Sequence, residues 1–120
     1  MSDKAAWVRR WLTKAEHDLQ SARVLLDSPY PLFDMACFHA QQAAEKALKG
    51  YLTFRDTAAG RTHDLESLLE QCIGLDASFA ALRDNCALLN DYSVTARYPD
   101  DGEDATRMEA QIAVQAAEDV

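Results

Sequence analysis

The chain has 120 residues and a mass of 13.4 kDa, which is the size of one domain. Apolar residues make up 48% of it and exclude a wholly disordered chain, while 4 Gly and 3 Pro are too few for a turn-rich all-β domain. Acidic residues number 20 against 12 Lys and Arg, and the net charge of −8 disfavours non-specific binding to nucleic acid or an anionic membrane. The sequence shows neither a membrane span nor a signal peptide, so we expect a cytoplasmic protein.

The first predicted helix carries an apolar stripe whose members alternate between spacings of four and three residues. The stripe consists of Val8, Leu12, Ala15, Leu19, Ala22 and Leu26. Trp11 and Leu25 widen it on one side, and Asp18 lies between them. Pro29 and Pro31 end the helix because a proline disfavours helical geometry at the residue before it.

The second predicted helix covers residues 32–55 and is apolar over more than half of its circumference. One stripe contains only small residues, which allow a neighbouring backbone to approach closely: Ala36, Ala40, Ala43 and Ala47. We therefore expect this helix to lie at the centre of a bundle or to pack against two partners. Glu45 and Lys49 form an i,i+4 pair in the favourable order.

The rest of the chain is predicted to be helical as well. After a loop over residues 56–62, a short helix is predicted over 63–72 with Thr62 or Asp64 as its N-cap, and a fourth over 77–96. The core stripe of the fourth helix is Phe79, Leu82, Cys86 and Leu89. Asp101 is the predicted N-cap of a fifth helix, whose inward residues are Ala105, Met108, Ile112, Ala116 and Val120. The sequence thus predicts a single all-α domain over residues 1–120, an antiparallel up-and-down bundle of four main helices and one short helix.

The three cysteines lie inside apolar helical patterns, at Cys37, Cys72 and Cys86. Their odd number and the lack of a Cys-x-x-Cys pair favour reduced thiols packed in the core. No cluster of Cys and His has the spacing of zinc ligands, so the sequence predicts no metal site and no cofactor.

Polar residues occupy one edge of the second helix, at His39, Gln42, Lys46 and Lys49. This pattern predicts either a contact strip for an anion or nucleotide, or a solvated helix edge. His63 begins the third helix, where it either orients a neighbouring side chain or caps backbone groups. Asp18 flanks the core and needs a partner, for which Arg97 and Tyr92 are candidates. His17 and Arg10 share a helix face, either as a phosphate and proton-transfer site or as an exposed flank.

The densest polar and aromatic cluster follows the fourth helix and consists of Asn90, Asp91, Tyr92, Arg97, Tyr98, Asp100 and Asp101. Loops hold binding residues more often than helix bodies do, so this cluster is a candidate binding site. The sequence contains no P-loop, dinucleotide-binding fingerprint, HExxH or serine-elbow motif.

Four ordered blocks of the sequence resemble the HEPN domain family. They are Ala15-Glu16-His17-Asp18-Leu19, the run ACFHAQQAAEKALK at residues 36–49, Thr62-His63-Asp64-Leu65, and Ala96-Arg97-Tyr98-Pro99-Asp100 preceded by Tyr92. The resemblance spans nearly the whole chain and implies a helical bundle that forms a homodimer, with a cleft between the protomers. It also implies nucleotide binding and, in prokaryotes, pairing with a small nucleotidyltransferase in a toxin–antitoxin or related two-component system.

Many HEPN domains are metal-independent ribonucleases that use an Arg followed, after four to six residues, by a His. Here Arg97 is followed by no His up to Asp104, and the similar spacing of Arg10 and His17 lies in the wrong helix. This departure puts ribonuclease activity in doubt and fits the branch of the family with an Ala-Arg-Tyr-Pro-Asp ending.

The leading hypothesis is therefore a non-catalytic, dimeric subunit that binds a nucleotide, an RNA or the substrate of a nucleotidyltransferase partner. Its predicted binding residues are Asp18, His39, Gln42, Lys46, Tyr92, Arg97 and Tyr98. Lys46 and Arg97 would contact phosphate, and Tyr98 would stack on a base. One alternative is a ribonuclease toxin whose catalytic residues are Arg97 and either His39 or His63. The other is a purely structural dimerisation module.

Overall fold

A computed structural model of the chain describes residues 2–90 and 105–120. Its helices are α1 (Ser2–Asp27), α2 (Phe33–Phe54), α3 (Leu65–Leu75), α4 (Arg83–Asn90) and α5 (Arg107–Asp119), with a 3-10 helix (Ala77–Leu82) directly before α4. The described residues contain no strand, so the predicted all-α bundle is confirmed. Within these ranges, no helix is both apolar enough and long enough to cross a bilayer.

Helix α2 is the central element of the bundle. It packs along α1 over most of its length and also contacts α3, α4 and α5. Half of its residues are buried, and they include Ala36, Ala40, Leu48 and Leu52. This agrees with the prediction from its broad apolar surface, because a helix that is apolar over more than half of its circumference must be covered on several sides.

The buried face of α1 is shifted relative to the predicted stripe. Ala15 and Ala22 are buried as predicted, but Leu12 is 49% exposed. Asp18, predicted to lie beside the stripe, is only 9% exposed. A carboxylate is buried at this position because α2 supplies oppositely charged and hydrogen-bonding partners, which a pattern of apolar residues does not reveal.

The third and fourth helices begin differently from the prediction. Asp64, one of the two predicted N-caps, is confirmed as the cap of α3 and accepts a hydrogen bond from the backbone N–H of Glu66, but α3 begins at Leu65 rather than at residue 63. The predicted start of the fourth helix is a 3-10 turn, which Asp76 caps by accepting from the N–H of Ser78. The α-helix proper begins only at Arg83, and its predicted end at residue 96 lies outside the described residues.

The inward face predicted for α5 is confirmed at Ala116 and wrong at its two largest residues. Met108 and Ile112 were expected to face inwards, but they are 68% and 49% exposed. The buried side chains are small: Ala110, Ala113, Val114, Ala116 and Ala117. Small residues let α5 lie close to α2, and this packing decides the rotation of the helix. Thr106 is its N-cap, in a capping box with Glu109, whereas the predicted cap Asp101 lies outside the described residues.

The three cysteines are buried and form no disulfide with one another, as predicted. Burial in the apolar core raises the pKa of both the Cys72 and the Cys86 thiol to about 11, with the neighbouring Cys72 and Glu66 adding to the effect at Cys86. Both thiols therefore stay protonated at neutral pH and are poor nucleophiles.

Candidate functional site

Asp18 joins α1 to α2 through both of its carboxylate oxygens. His39 Nδ1 lies 2.9 Å from Oδ1, and Lys46 donates a hydrogen bond to Oδ2. His39 and Lys46 are two turns apart on α2, so both side chains reach the same point on α1. The structure therefore brings together three of the predicted binding residues, while the other suggested partners of Asp18, Arg97 and Tyr92, lie outside the described residues.

The contact with Asp18 determines the hydrogen-bonding state of His39. A carboxylate only accepts hydrogen bonds, so the contact places the imidazole proton on Nδ1. In the neutral ring Nε2 is then a hydrogen-bond acceptor and a base. The His39 side chain is 28% exposed, which leaves part of the ring accessible to a ligand.

An open groove of about 500 Å³ lies beside this cluster, between α1 and α2. Its lining residues are His17, Gln20, Ser21, Val24 and Leu25 from α1 and His39 from α2. Gln20, Ser21 and Val24 were not predicted as site residues. The sequence gives one signal for them: His17, Gln20, Ser21 and Val24 follow one another at spacings of three, one and three residues, which places them on one face of a helix.

A second polar cluster surrounds the buried carboxylate of Glu45. Its Oε2 lies 3.1 Å from Lys49 Nζ and 2.9 Å from His63 Nδ1. Lys49 also lies 5.7 Å from the centre of the Trp11 ring. The predicted Glu45–Lys49 pair is confirmed, and Lys49 is buried rather than part of a solvated edge.

His63 orients a neighbouring side chain and does not cap α3, so the second of its two interpretations is wrong. The cap is supplied by Asp64, while the His63 ring contacts Glu45. The backbone carbonyl of His63 accepts a hydrogen bond of 3.3 Å from Gln41, which is fully buried. These contacts fasten the segment before α3 to α2.

Gln42 extends the second cluster along α2. Its amide donates to Gln41 Oε1 at 2.6 Å and more weakly to Glu45 Oε1 at 3.5 Å. Of the other predicted binding residues, Tyr92, Arg97 and Tyr98 lie outside the described residues. Asn90 has a role in the fold: its side chain accepts from the N–H of Leu65 and donates to Asp64.

A family model of the HEPN domain matches residues 8–120. The chain belongs to the HEPN domain family. A crystal structure of TT1696 from Thermus thermophilus has 32% sequence identity to this HEPN chain and a TM-score of 0.78, and the match covers 93% of this chain and 91% of the other. ST0689, described as an archaeal HEPN homologue, has 30% identity and a TM-score of 0.72, with coverage of 93% and 89%. A comparison with curated proteins finds no match.

The polar side chains of this HEPN domain are bonded mainly to one another. Asp18 and Glu45, the carboxylates that are buried in the part of the chain that the structure describes, each contact one lysine and one histidine. Within residues 2–90 and 105–120, no three His, Cys, Asp or Glu side chains are arranged to hold a metal ion. The polar groups that line the α1–α2 groove are the imidazoles of His17 and His39 and the side chains of Gln20 and Ser21, whereas Lys46 and Lys49 are paired with carboxylates.

Proposed function

We propose that this HEPN chain is a non-catalytic, dimeric accessory subunit that binds a nucleotide, or the substrate of a small nucleotidyltransferase partner, in the α1–α2 groove. The observation that carries the proposal is the position of His39. Asp18 holds this side chain at the edge of an open groove of about 500 Å³ that mixes apolar and polar groups. Ligand sites in proteins commonly combine an apolar surface with a few placed polar groups.

The lining of the groove suits a nucleoside better than an isolated phosphate. Val24 and Leu25 offer an apolar surface to the face of a base, and Gln20 and Ser21 offer amide and hydroxyl groups to its edge. Lys46 is already neutralised by Asp18. A phosphate on Lys46 must compete with that carboxylate, so the predicted phosphate contact depends mainly on Arg97.

The test is calorimetric titration of the wild-type chain with adenosine, AMP and ATP. We expect His39→Ala to weaken binding of all three, because it removes the group held at the groove. Arg97→Ala should weaken binding of AMP and ATP only and leave the melting temperature unchanged. Arg83→Ala is the matched control, since Arg83 forms an exposed ion pair with Glu70. Wild-type affinity in both His39→Ala and Arg97→Ala would contradict the proposal.

A ribonuclease is the second candidate, and the Asp18–His39 contact favours it. A histidine whose Nδ1 is held by a carboxylate presents Nε2 as a base, as general acid–base catalysis requires. The measurement is RNA cleavage in EDTA by wild type, Arg97→Ala and His39→Gln. Cleavage by the wild type that both variants lack would replace the non-catalytic proposal with a nuclease.

The partner and the cellular role need a separate experiment. We expect the chain to co-purify with a small nucleotidyltransferase in a defined ratio when the two are co-expressed. In a toxin–antitoxin pair, one chain expressed alone slows growth and its partner restores it. A structural dimerisation module, the remaining alternative, would form the dimer with no nucleotide-dependent shift in melting temperature.

A further inference from the structure

A second groove lies between α4 and α5, away from His39. Its volume is about 320 Å³. The apolar lining residues are Leu88, Ile112 and Ala116, and the polar ones are Asp84, Asn85, Gln115 and Asp119. The groove is thus an apolar strip with polar side chains around it.

Two large apolar side chains of this groove, Leu88 and Ile112, are exposed, and Met108 lies one turn before Ile112 on α5. Met108 and Ile112 lie one turn apart on α5 and are 68% and 49% exposed, while Leu88 on α4 is 38% exposed. Large apolar side chains grouped on the surface of a folded chain mark an interaction site.

The charges of the groove select the kind of molecule. Both ionisable residues in its lining, Asp84 and Asp119, are acidic. The neighbouring Arg83 is 3.0 Å from Glu70 and is thereby neutralised. A second copy of this chain, with its own net charge of −8, offers poor complementarity to such a surface. A basic partner is attracted to it.

We propose that the α4–α5 groove binds an amphipathic helix of a partner protein, whose apolar stripe is flanked by Lys and Arg. Along α5, the lining of the groove runs from Ile112 to Asp119, a length of about 10.5 Å, which matches two turns of a docked helix. The apolar stripe would cover Leu88 and Ile112, and the basic flanks would face Asp84 and Asp119. The inference goes beyond the proposed function because it requires no nucleotide.

The test uses two labelled helical peptides with the same leucine stripe, one flanked by Lys and the other by Glu. Fluorescence anisotropy should show binding of the Lys peptide only. Ile112→Gln should weaken this binding about tenfold, whereas Leu12→Gln, a control with the same 49% exposure, should not. Asp84→Asn with Asp119→Asn should weaken binding and reduce its salt dependence. Asp3→Asn with Glu16→Gln is the control, because it removes the same two charges elsewhere.

Three outcomes would overturn the inference. They are equal binding of the Glu peptide, binding of neither peptide, and a loss of Lys-peptide binding in Asp3→Asn/Glu16→Gln as large as that in Asp84→Asn/Asp119→Asn. Sedimentation of Ile112→Gln tests whether a second copy of this chain occupies the groove instead of a basic helix. If this variant dissociates a dimer that the wild type forms, the groove is the contact between two copies of the chain. Nucleotide titration of the same variant keeps the two proposals separate, since Ile112→Gln should retain wild-type nucleotide affinity.

Discussion

Each of the carboxylates buried within residues 2–90 and 105–120 is stabilised by one lysine and one histidine from other turns or elements. Asp18 contacts Lys46 and His39, and Glu45 contacts Lys49 and His63. An isolated charge is costly to bury, and the cost falls when opposite charge and hydrogen bonds surround it. Removing one partner should therefore lower the free energy of unfolding more than breaking an exposed ion pair does, because an exposed pair contributes little to stability.

Asp18→Asn tests this at the first cluster. The amide keeps the size of the side chain but leaves Lys46, whose side chain is 24% exposed, without its counter-charge. We expect the free energy of unfolding to fall by about 1–3 kcal/mol, measured by urea denaturation. Asp56→Asn is the matched control: it breaks an exposed pair with Lys4 and should cost less than about 0.5 kcal/mol. Equal losses of unfolding free energy in the two variants would show that burial of Asp18 does not increase the cost of removing its charge.

The buried thiols predict a loss of stability at alkaline pH. Burial raises the pKa of the Cys72 and Cys86 thiols from 9.0 to about 11, so between these values the folded chain keeps protons that the unfolded chain releases. The free energy of unfolding should therefore fall as the pH rises from 9 to 11. Well below pH 9 both thiols are protonated in the folded and the unfolded chain, so they add no pH dependence there. Urea midpoints over this range should change less in Cys72→Ala/Cys86→Ala. Identical slopes in the variant and the wild type would assign the change to other groups.

At the scale of elements, α1 packs closely against α2 at Gly50. A Cβ atom added there would lie 3.1 Å from Trp11 Cβ and 3.3 Å from Leu12 Cδ2. Trp11 Cβ is attached to the backbone and cannot rotate away, so a larger residue must push the two helices apart. The sequence predicted close approach from the alanine stripe of α2 but did not single out Gly50, because a glycine inside a helix has no distinctive pattern.

Gly50→Ala should destabilise the chain in spite of the better helix propensity of alanine. Overpacking costs about 1–3 kcal/mol, against a gain of about 1 kcal/mol from propensity. Gly74→Ala in α3 is the control: its added Cβ would meet nothing within 4 Å, so this change should stabilise by up to about 1 kcal/mol. Thermal unfolding of both variants checks the sign, and a higher melting temperature in Gly50→Ala would contradict the close approach.

The elements differ in how well the sequence predicted them. The bounds of α2 were predicted to within one residue because its apolar positions surround most of the helix and prolines precede it. The inward face of α5 was predicted correctly at Ala116 but wrongly at Met108 and Ile112, because the largest apolar residues were assumed to be buried. In the bundle the available space accepts small side chains such as Ala113 and Val114, and Met108 remains outside.

At the scale of the whole molecule, the α1–α2 and α4–α5 grooves lie on different parts of the described surface. The α1–α2 groove is lined by the imidazoles of His17 and His39, and the α4–α5 groove is lined by apolar and acidic side chains. The different chemistry of the two surfaces supports different roles, with a small ligand in the first and a protein partner in the second.

The proposed homodimer gives a prediction at this scale. Sedimentation equilibrium should yield a particle of about twice 13.4 kDa. If the α4–α5 groove is reserved for a basic helix, Ile112→Gln should leave that mass unchanged and the Lys peptide should not dissociate the dimer. A single-chain mass at high micromolar concentration would contradict the dimer and leave both groove proposals standing.

The sequence by itself determined the helical class, the order of the helices and the central place of α2. It also singled out Asp18, His39 and Lys46 as candidate site residues. Periodicity specifies which residues share one face of a helix, and that is a local property. Only the tertiary structure decided that Asp18 meets His39 and Lys46, which are 21 and 28 residues away, and that Met108 and Ile112 face outwards. The rotation and spacing of neighbouring helices depend on how side chains far apart in the sequence pack together, and no single-helix pattern contains that information.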